Sequence, residues 1–339
     1  MSKQGILLVN LGTPDSPSVS DVRRYLDEFL MDERVIDINA VGRTFLVKGI
    51  IVPFRGPKSA KTYQKVWTEN GSPLLFYSVR AAELLQKKLG DGYCVALGMR
   101  YQNPSIASAL EKLKAAGVKS IKVIPLFPQY ASATTGSVHQ KVMELVSKWQ
   151  TIPSISLLNS YHDEPGMIEI FAANGLKYQP ETFDHIIFSF HGLPQRQLIK
   201  ADDSKKHCLQ SADCCSRLTD VNRFCYSAQC HNTARLIAER LSIPKEKYTV
   251  TFQSRLGKDP WAQPYTSEVI HSLGKGGAKR LLVFSPAFVA DCLETIYEIA
   301  EEYDLEFKAL GGEKVQLVES LNDKAEWIDV LAQLAVRPV

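Results

Sequence analysis

Long apolar runs recur along the chain, and each is followed by a stretch with helical periodicity. GILLVNLG from Gly5, IKVIPLF from Ile121 and RLLVFSPAF from Arg280 are apolar at nearly every position. Runs of this kind are typical of strands that are buried on both faces of a parallel sheet. Between them lie amphipathic stretches such as PSIASALEKLKAAG, which begins at Pro104. The alternation of strands and helices predicts an α/β fold.

The second half of the chain repeats the pattern of the first half in the same order. GILLVNLGTP begins at Gly5 and HIIFSFHGLP at His185, and both are apolar runs that end in Gly-x-Pro. A second pair begins at Cys94 and Tyr248, and both members predict a strand, an arginine, a proline-bearing loop, a helix and another strand. The repeat predicts two similar Rossmann-like, doubly wound domains with parallel sheets. Such folds bind ligands beyond the carboxyl ends of their strands, so we expect an active-site cleft between the domains.

The repeat also sets the domain boundaries. We expect an N-terminal domain over 1–155, which includes an apolar segment at 35–54. The C-terminal domain is expected over 156–320, and it includes a cysteine-rich insertion at 201–231. The string KAEWIDVLAQLAV predicts a closing helix within 321–339.

Composition narrows the classes of function. The chain has 339 residues, 45% hydrophobic and 23% charged, which is ordinary for a globular protein of two domains. A net charge of +3 gives no support to nucleic-acid binding. Neither a dinucleotide-binding nor a P-loop glycine motif is present. The N-terminal apolar run is too short for a signal peptide, so we expect a cytoplasmic protein whose cysteines are thiols or metal ligands.

The apolar string FLVKGIIVPF lies within the segment 35–54 and is too short to cross a membrane. One interpretation is a buried element. The other is an exposed lip at the mouth of a pocket, able to contact an apolar substrate or the inner face of a membrane.

One half of the repeat carries a titratable residue where the other half has an apolar one. Aligning the Gly-x-Pro turns sets His191 opposite Leu11. An imidazole titrates near neutrality, so it can accept a proton or ligate a metal at a strand end. The alternative is a structural histidine.

Acidic residues follow the RLLVFSPAF run. Glu294, Glu298 and Glu302 lie four apart, and they form one stripe on a helix predicted to begin near Asp291, after a strand that ends near Phe288. A capping box from Asp291 to Glu294 would account for the first glutamate and not for the others. A histidine facing carboxylates is a site for a hard cation or an acid/base pair.

These stretches resemble the ferrochelatase family, whose members insert ferrous iron into a porphyrin in the last step of haem synthesis. SFHGLP, FQSRLGKDPWAQPYT and SPAFVADCLETIYEI are similar to the signature stretches of the family. LVNLGTP, GSPL, MRYQNPSI and PQYASATTGS are similar to its N-terminal motifs, in the same order and over nearly the whole chain. The resemblance implies the chelatase fold of two Rossmann-like domains.

The resemblance also implies roles for particular residues. The family's essential histidine corresponds to His191 and its key glutamate to Glu294, and these two would hold Fe²⁺ and take pyrrole protons in an order that stays open. Glu298 and Glu302 would continue an acidic path. The implied porphyrin contacts are Leu11, Tyr130 and Trp261 on the ring faces and Arg100 at the propionates.

Five of the seven cysteines lie in the insertion 201–231. Zinc and free thiols are alternatives, although the spacing lacks a pair of C-x-x-C knuckles. Some bacterial ferrochelatases carry an internal [2Fe–2S] cluster, and the resemblance favours one here, because such a cluster needs four thiolates and tolerates irregular spacing. The expected ligands are Cys208, Cys214, Cys215 and Cys225. Cys230 is the reserve, since relatives that lack a cluster also have it.

The sequence therefore predicts a lyase that takes ferrous iron and a porphyrin, which we expect to be protoporphyrin IX. Two alternatives stay open. One is a non-catalytic carrier of tetrapyrrole or iron, and the other is a chelatase for another metal or for coproporphyrin III.

Overall fold

The computed structural model describes residues 3–257 and 259–338. The described chain divides into two compact units, each built on one sheet. Unit 1 comprises the described residues of 1–127, 132–159 and 322–339, so it includes the closing helix. Unit 2 comprises 128–131 and the described residues of 160–321.

The strands are β1 Gln4–Gly12, β2 Tyr93–Tyr101, β3 Ser120–Pro125, β4 Ser154–Leu157, β5 His185–His191, β6 Tyr248–Gln253, β7 Arg280–Phe284 and β8 Lys314–Leu317. The α-helices are α1 Val19–Leu30, α2 Ala40–Thr44, α3 Val52–Val66, α4 Pro73–Leu89, α5 Ile106–Ala115, α6 Ser137–Val146, α7 Pro165–Leu176, α8 Gln195–Lys200, α9 Tyr226–Arg240, α10 Thr266–Lys275, α11 Asp304–Ala309 and α12 Ala325–Val336. The part of the chain that the structure describes also has π-helical segments at Phe45–Ile51, Ser132–Gly136 and Glu294–Tyr303, and short 3₁₀ turns at Pro180–Thr182 and Lys245–Lys247.

Both sheets are parallel and four-stranded, with the order β2-β1-β3-β4 in unit 1 and β6-β5-β7-β8 in unit 2. The predicted α/β class with two doubly wound halves is therefore confirmed. Strand β1 has a neighbour on each side and β5 likewise, which explains why their sequences are almost continuously apolar.

Each unit has its own core. In unit 1, Leu7 and Val9 of β1 pack with Leu110 of α5 and Val142 of α6. In unit 2, the corresponding core includes Ile187 of β5, Ile270 of α10 and Val283 of β7, together with Ile299, Tyr303 and Phe307. The acidic π-helical segment is therefore fixed in place by its own apolar face.

Strand pairing relates the two units residue by residue. Asn10 pairs with Met99 in unit 1 and Phe190 with Phe252 in unit 2. The Met99 amide donates to the Pro104 carbonyl, and the Phe252 amide donates to the Pro264 carbonyl in the same way. The register therefore makes Leu11 the counterpart of His191.

The same comparison extends to the segments that follow the third strands. Leu8 pairs with Ile124 and Phe188 with Phe284, so counting forward sets Thr134 opposite Glu294 and Val138 opposite Glu298. Thr135 and Thr295, which this count makes equivalent, are both fully buried. Both segments are π-helical near this point. The two units thus share a scaffold and differ in the titratable groups attached to it.

Two predicted boundaries next to the acidic stripe are wrong. Strand β7 ends at Phe284 rather than near Phe288, and the π-helical segment begins at Glu294 rather than near Asp291. An irregular connection fills the interval, and in it the Ser285 hydroxyl donates to the Ser189 carbonyl.

The apolar segment is helical and largely exposed. It includes α2, the π-helical segment Phe45–Ile51 and the start of α3. Within FLVKGIIVPF, Phe45 and Phe54 are 71% and 77% exposed, so the interpretation as a buried element is wrong for these two side chains, whereas Val47 is fully buried. Within the described ranges no helix is both long and apolar enough to cross a bilayer.

Candidate active site

His191 is the last residue of β5 and is half-buried. Its Nδ1 lies 2.8 Å from the carbonyl oxygen of Gly192. A carbonyl only accepts hydrogen bonds, so Nδ1 carries the proton of the neutral ring. The lone pair of Nε2 is then available for a proton or a metal.

A short loop next to His191 is held by backbone contacts on both sides. The Gly192 amide donates to the Gln253 carbonyl at 2.8 Å, and the Ala262 amide donates to Leu193 at 2.8 Å. A Cβ at position 192 would lie 2.9 Å from the Gln253 oxygen and 3.1 Å from the Trp261 ring, so only glycine fits. The centroids of the His191 and Trp261 rings are 6.5 Å apart.

The acidic segment is a π-helix, Glu294–Tyr303, a conformation found frequently at functional sites. The Glu298 carboxylate in this segment accepts four hydrogen bonds. The Glu298 Oε1 accepts the Ser254 amide and the Tyr303 hydroxyl, both at 2.9 Å. The Oε2 accepts the Gln253 side-chain amide at 3.0 Å and the Ser254 hydroxyl. Burial and the Glu298 charge raise the pKa of Tyr303, which therefore stays protonated and donates.

Gln253 connects the histidine with the acidic segment. It pairs with His191 in the register of β5 and β6. Its Nε2 donates to the Glu298 carboxylate and lies 3.2 Å from the Glu294 carbonyl oxygen. The Glu294 side chain is half-buried, and Glu302 is exposed. In unit 2 one glutamine therefore joins the strand that ends at His191 to the helix that carries Glu294 and Glu298.

The capping interpretation does not account for Glu294. The Asp291 carboxylate accepts the Thr295 hydroxyl at 3.1 Å and the Ser320 amide at 3.3 Å, while Leu293 is the N-cap residue of the helix. Cys292 is buried beside Glu294, and burial, followed by the Glu294 charge, raises the pKa of its thiol. Cys292 is therefore a protonated, apolar neighbour of the acidic segment.

The four residues predicted to contact porphyrin are divided between the units. Tyr130 and Trp261 lie in unit 2, where Tyr130 is half-buried and Trp261 is buried. Leu11 and Arg100 lie in unit 1, at the ends of β1 and β2.

Arg100 is already ion-paired. Its Nη2 lies 2.6 Å from the Asp32 carboxylate and its Nε donates to the Ser137 hydroxyl at 2.6 Å. Asp32 also accepts the Tyr101 hydroxyl at 2.9 Å. Burial, followed by the Asp32 charge, raises the pKa of that tyrosine. These contacts fix the orientation of the guanidinium.

Sequence reasoning missed Asp32, Gln253, Ser254 and Tyr303. Gln253 and Ser254 could have been found from the sequence. They are polar residues directly after the apolar run YTVTF, just as His191 directly follows the apolar run HIIFSF. Asp32 carries no such signal, because its partner Arg100 is distant in sequence. Tyr303 carries none either, because it belongs to the apolar face of its helix.

The cysteine-rich insertion brings four of its sulfurs close together. Thiols of Cys208 and Cys215 donate to the Cys225 sulfur and lower the pKa of Cys225. The sulfurs of Cys214 and Cys215 are 3.7 Å apart. Cys230 is fully buried on α9 and bonds the Tyr226 hydroxyl. Throughout residues 3–257 and 259–338, no three His, Cys, Asp or Glu side chains surround a common metal position.

Polar side chains order this insertion. Asp202 accepts the amides of Ser204, His207 and Cys208 at 3.0, 2.9 and 2.8 Å. These bonds hold the pKa of Asp202 well below its usual range. Asn222 donates to the Cys214 and Arg217 carbonyls and accepts the Thr219 amide. A cavity of about 340 Å³ lies beside the sulfurs, and its lining includes Leu209, Cys214, Cys215, Ser227 and His231.

Comparisons with known proteins agree on one family. The family model described as ferrochelatase matches residues 3–338. Ferrochelatase from Legionella pneumophila (strain Lens) is 43% identical over 332 residues, which cover 98% of this chain and 98% of that protein. Ferrochelatase from Coxiella burnetii (strain Dugway 5J108-111) is 43% identical over 338 residues, which cover 98% of this chain and 93% of that protein.

Among solved structures, SirB from Bacillus subtilis with Fe³⁺ is similar, with a TM-score of 0.53 and 14% identity. The match covers 98% of this chain and 96% of SirB. At that identity the likeness shows a shared fold alone. The family model and the two curated relatives show more: the chain belongs to the ferrochelatase family.

Proposed function

We propose that His191 and Glu294 form the centre at which this ferrochelatase, a lyase of haem synthesis, inserts ferrous iron into its porphyrin. The observation that carries the proposal is the position of Gln253, which pairs with His191 in the β5–β6 ladder and whose Nε2 bonds the backbone carbonyl of Glu294 and the carboxylate of Glu298. One side chain thus connects the imidazole-bearing strand with the acidic helix.

The reaction places one Fe²⁺ among the pyrrole nitrogens and releases two pyrrole protons. The Nε2 lone pair of His191 and the carboxylate of Glu294 can each accept a proton or ligate the metal. Glu298 accepts four hydrogen bonds, so it is less free to bind the metal than Glu294. We assign Glu298 and the exposed Glu302 to the acidic path by which the metal ion enters or the released protons leave.

The proposed substrate is protoporphyrin IX, with Leu11, Tyr130 and Trp261 against the ring faces. Contacts remote from the nitrogens can bend a flat ring and expose the nitrogen lone pairs. Arg100 is proposed to meet a propionate through Nη1, because Asp32 and Ser137 already engage Nη2 and Nε.

Replacing His191 by alanine should abolish iron insertion, because no other group replaces the Nε2 lone pair. The measurement is anaerobic insertion of ferrous iron into protoporphyrin IX and, separately, coproporphyrin III. His185→Ala is the matched control, since His185 begins the same strand and bonds Thr249. Normal turnover of a folded His191→Ala protein would contradict the assignment, and porphyrin binding without turnover by the wild type would favour the carrier alternative.

Glu294→Gln and Glu298→Gln should have opposite profiles. The first should lower kcat by roughly 10²–10⁴-fold, the usual contribution of an acid/base group, with little loss of stability. The second should lower kcat less. It should also lower the free energy of unfolding by about 1–3 kcal/mol, because its new NH₂ group would face hydrogen-bond donors. Turnover and urea unfolding midpoints check this. A larger kcat loss for Glu298→Gln would move the centre to Glu298.

We also propose that the insertion holds a [2Fe–2S] cluster on Cys208, Cys214, Cys215 and Cys225. The support is the convergence of these four sulfurs and the separate burial of Cys230. Thiolates are the ligands that such clusters require. When bound, the cluster would supply further folding energy to a segment that has little apolar packing of its own.

Protein purified without oxygen should therefore be coloured and contain roughly two irons and two acid-labile sulfides per chain. Cys214→Ser should bleach it, whereas Cys230→Ser should leave the colour, since Cys230 bonds Tyr226 on α9. Absorption spectra with iron and sulfide assays decide the matter. Stoichiometric zinc without sulfide would reject the cluster, and a bleached Cys230→Ser protein would correct the ligand set.

The exposed apolar segment is proposed to contact an anionic membrane surface. Phe45 and Phe54 are strongly exposed, and residues 38–68 contain six basic residues and no acidic ones. Exposed aromatic side chains among basic ones are typical of helices that lie in a charged bilayer interface.

Phe45→Ser together with Phe54→Ser should reduce co-sedimentation with phosphatidylglycerol vesicles at least severalfold, because the apolar contact is lost. Leu305→Ser is the control, since Leu305 is 60% exposed in α11. Equal binding by wild type and double variant, or binding to phosphatidylcholine alone, would contradict the proposal.

A further inference from the structure

The first turn of α9 directly follows Cys225, and it contacts two residues of the candidate site. Cys225 is the N-cap residue of this helix. Its amide donates to the Asn222 carbonyl at 2.8 Å, and its carbonyl accepts the Gln229 amide at 3.0 Å. The position of Cys225 therefore sets where the helix begins.

Tyr226 is the first contact. Its side chain is buried, and its hydroxyl donates to the His191 carbonyl oxygen at 2.8 Å. Pairing between β5 and β7 ends at Phe188 and Phe284, so the His191 carbonyl lies beyond that ladder. Strand β6 thus restrains the His191 backbone on one side, and on the side where β7 has ended the Tyr226 side chain restrains it.

Gln229 is the second contact. It is 1% exposed, and its Oε1 accepts the Tyr130 amide at 2.7 Å. Its Nε2 donates to the Arg223 carbonyl, which belongs to the cysteine insertion, at 2.6 Å. The rings of Tyr130 and Phe224 lie 5.8 Å apart. The insertion and the predicted porphyrin contact therefore share one buried amide.

We propose that Tyr226 is a positioning residue for His191 and that it couples occupation of the cysteine insertion to the alignment of the catalytic imidazole. The coupling part rests on the cluster proposed above. With the four sulfurs bound, Cys225 and the start of α9 are fixed, and Tyr226 holds the His191 carbonyl. With the sulfurs released, the helix start loosens and the imidazole loses its orientation, although no residue of the reaction has changed.

The test compares Tyr226→Phe, Cys208→Ser and the double variant in the full chain. Tyr226→Phe keeps the buried ring and removes the hydrogen bond to the His191 carbonyl together with the contact between the hydroxyl and Cys230, so kcat should fall roughly fivefold to tenfold while KM for porphyrin and the visible spectrum stay unchanged. Tyr178→Phe is the matched control, because its hydroxyl also donates a single bond, to Glu319. Cys208→Ser removes the cluster without altering the residue next to Tyr226.

The double variant separates coupling from a general loss of structure. If Tyr226 transmits the effect, loss of the cluster lowers kcat much less in the Tyr226→Phe background than in the wild type. Equal factors in the two backgrounds would overturn the coupling, and an unchanged kcat in Tyr226→Phe would overturn the positioning role. A wild type without labile sulfide would reject the cluster alone, because the Tyr226→Phe result still decides the positioning role.

Amide hydrogen exchange gives a readout that does not depend on activity or on the variant folding. Removal of the cluster from the wild type by an iron chelator should speed exchange in residues 189–193. The counterpart in unit 1, residues 9–13, should not change. Unchanged exchange in residues 189–193 would overturn the coupling.

Discussion

The end of the β5–β6 ladder is where the candidate site is assembled, and one residue pair controls it. His191 and Gln253 are the last pair of this ladder. Because Gln253 is held by the ladder, its side chain has a fixed origin from which to reach Glu294 and Glu298. Ser254 follows with a left-handed backbone (φ 65°), which is costly for a serine. The Glu298 carboxylate offsets that cost by accepting a hydrogen bond from the Ser254 amide. The chain therefore leaves the sheet at a position where its amide points to the carboxylate.

The duplicated scaffold carries the proposed histidine and glutamates in one unit and different side chains at the equivalent positions of the other. In unit 1, Leu11, Thr134 and Val138 stand where unit 2 has His191, Glu294 and Glu298, on the same strand order and a similar π-helical turn. Arg100, the counterpart of Gln253, pairs with Asp32 instead of a helix carboxylate. The backbone thus supplies positions at strand ends, and side chains decide what each position does. The Asp32–Arg100 pair is mostly buried, so it holds a cation in a fixed orientation.

The sequence predicts the strands and the position of His191 well, because a central strand buried on both faces leaves a continuous apolar run whose end is easy to see. Sequence-based prediction fails where a contact joins residues that are distant in sequence, and where a helix changes from i→i+4 to i→i+5 hydrogen bonds. Nothing in SPAFVADCLETIYEI distinguishes an i→i+5 helix from an i→i+4 helix, so the segment was expected to begin at Asp291 instead of Glu294. The partners of Glu298 come from β6 and from its own helix, and only the fold brings Ser254 and Tyr303 to one carboxylate.

The cysteine insertion shows how a segment with little apolar packing can still hold a defined shape. Asp202 accepts three backbone amides, and Asn222 bonds three backbone groups of the insertion. These two buried polar side chains hold the backbone of the segment in place of apolar packing. That network places the sulfurs near one another without surrounding a common point. The cluster proposed above would take Cys225 as one of its four ligands. Since α9 begins after Cys225, a ligand bound at that sulfur would lie next to the helix turn whose Tyr226 holds the His191 carbonyl.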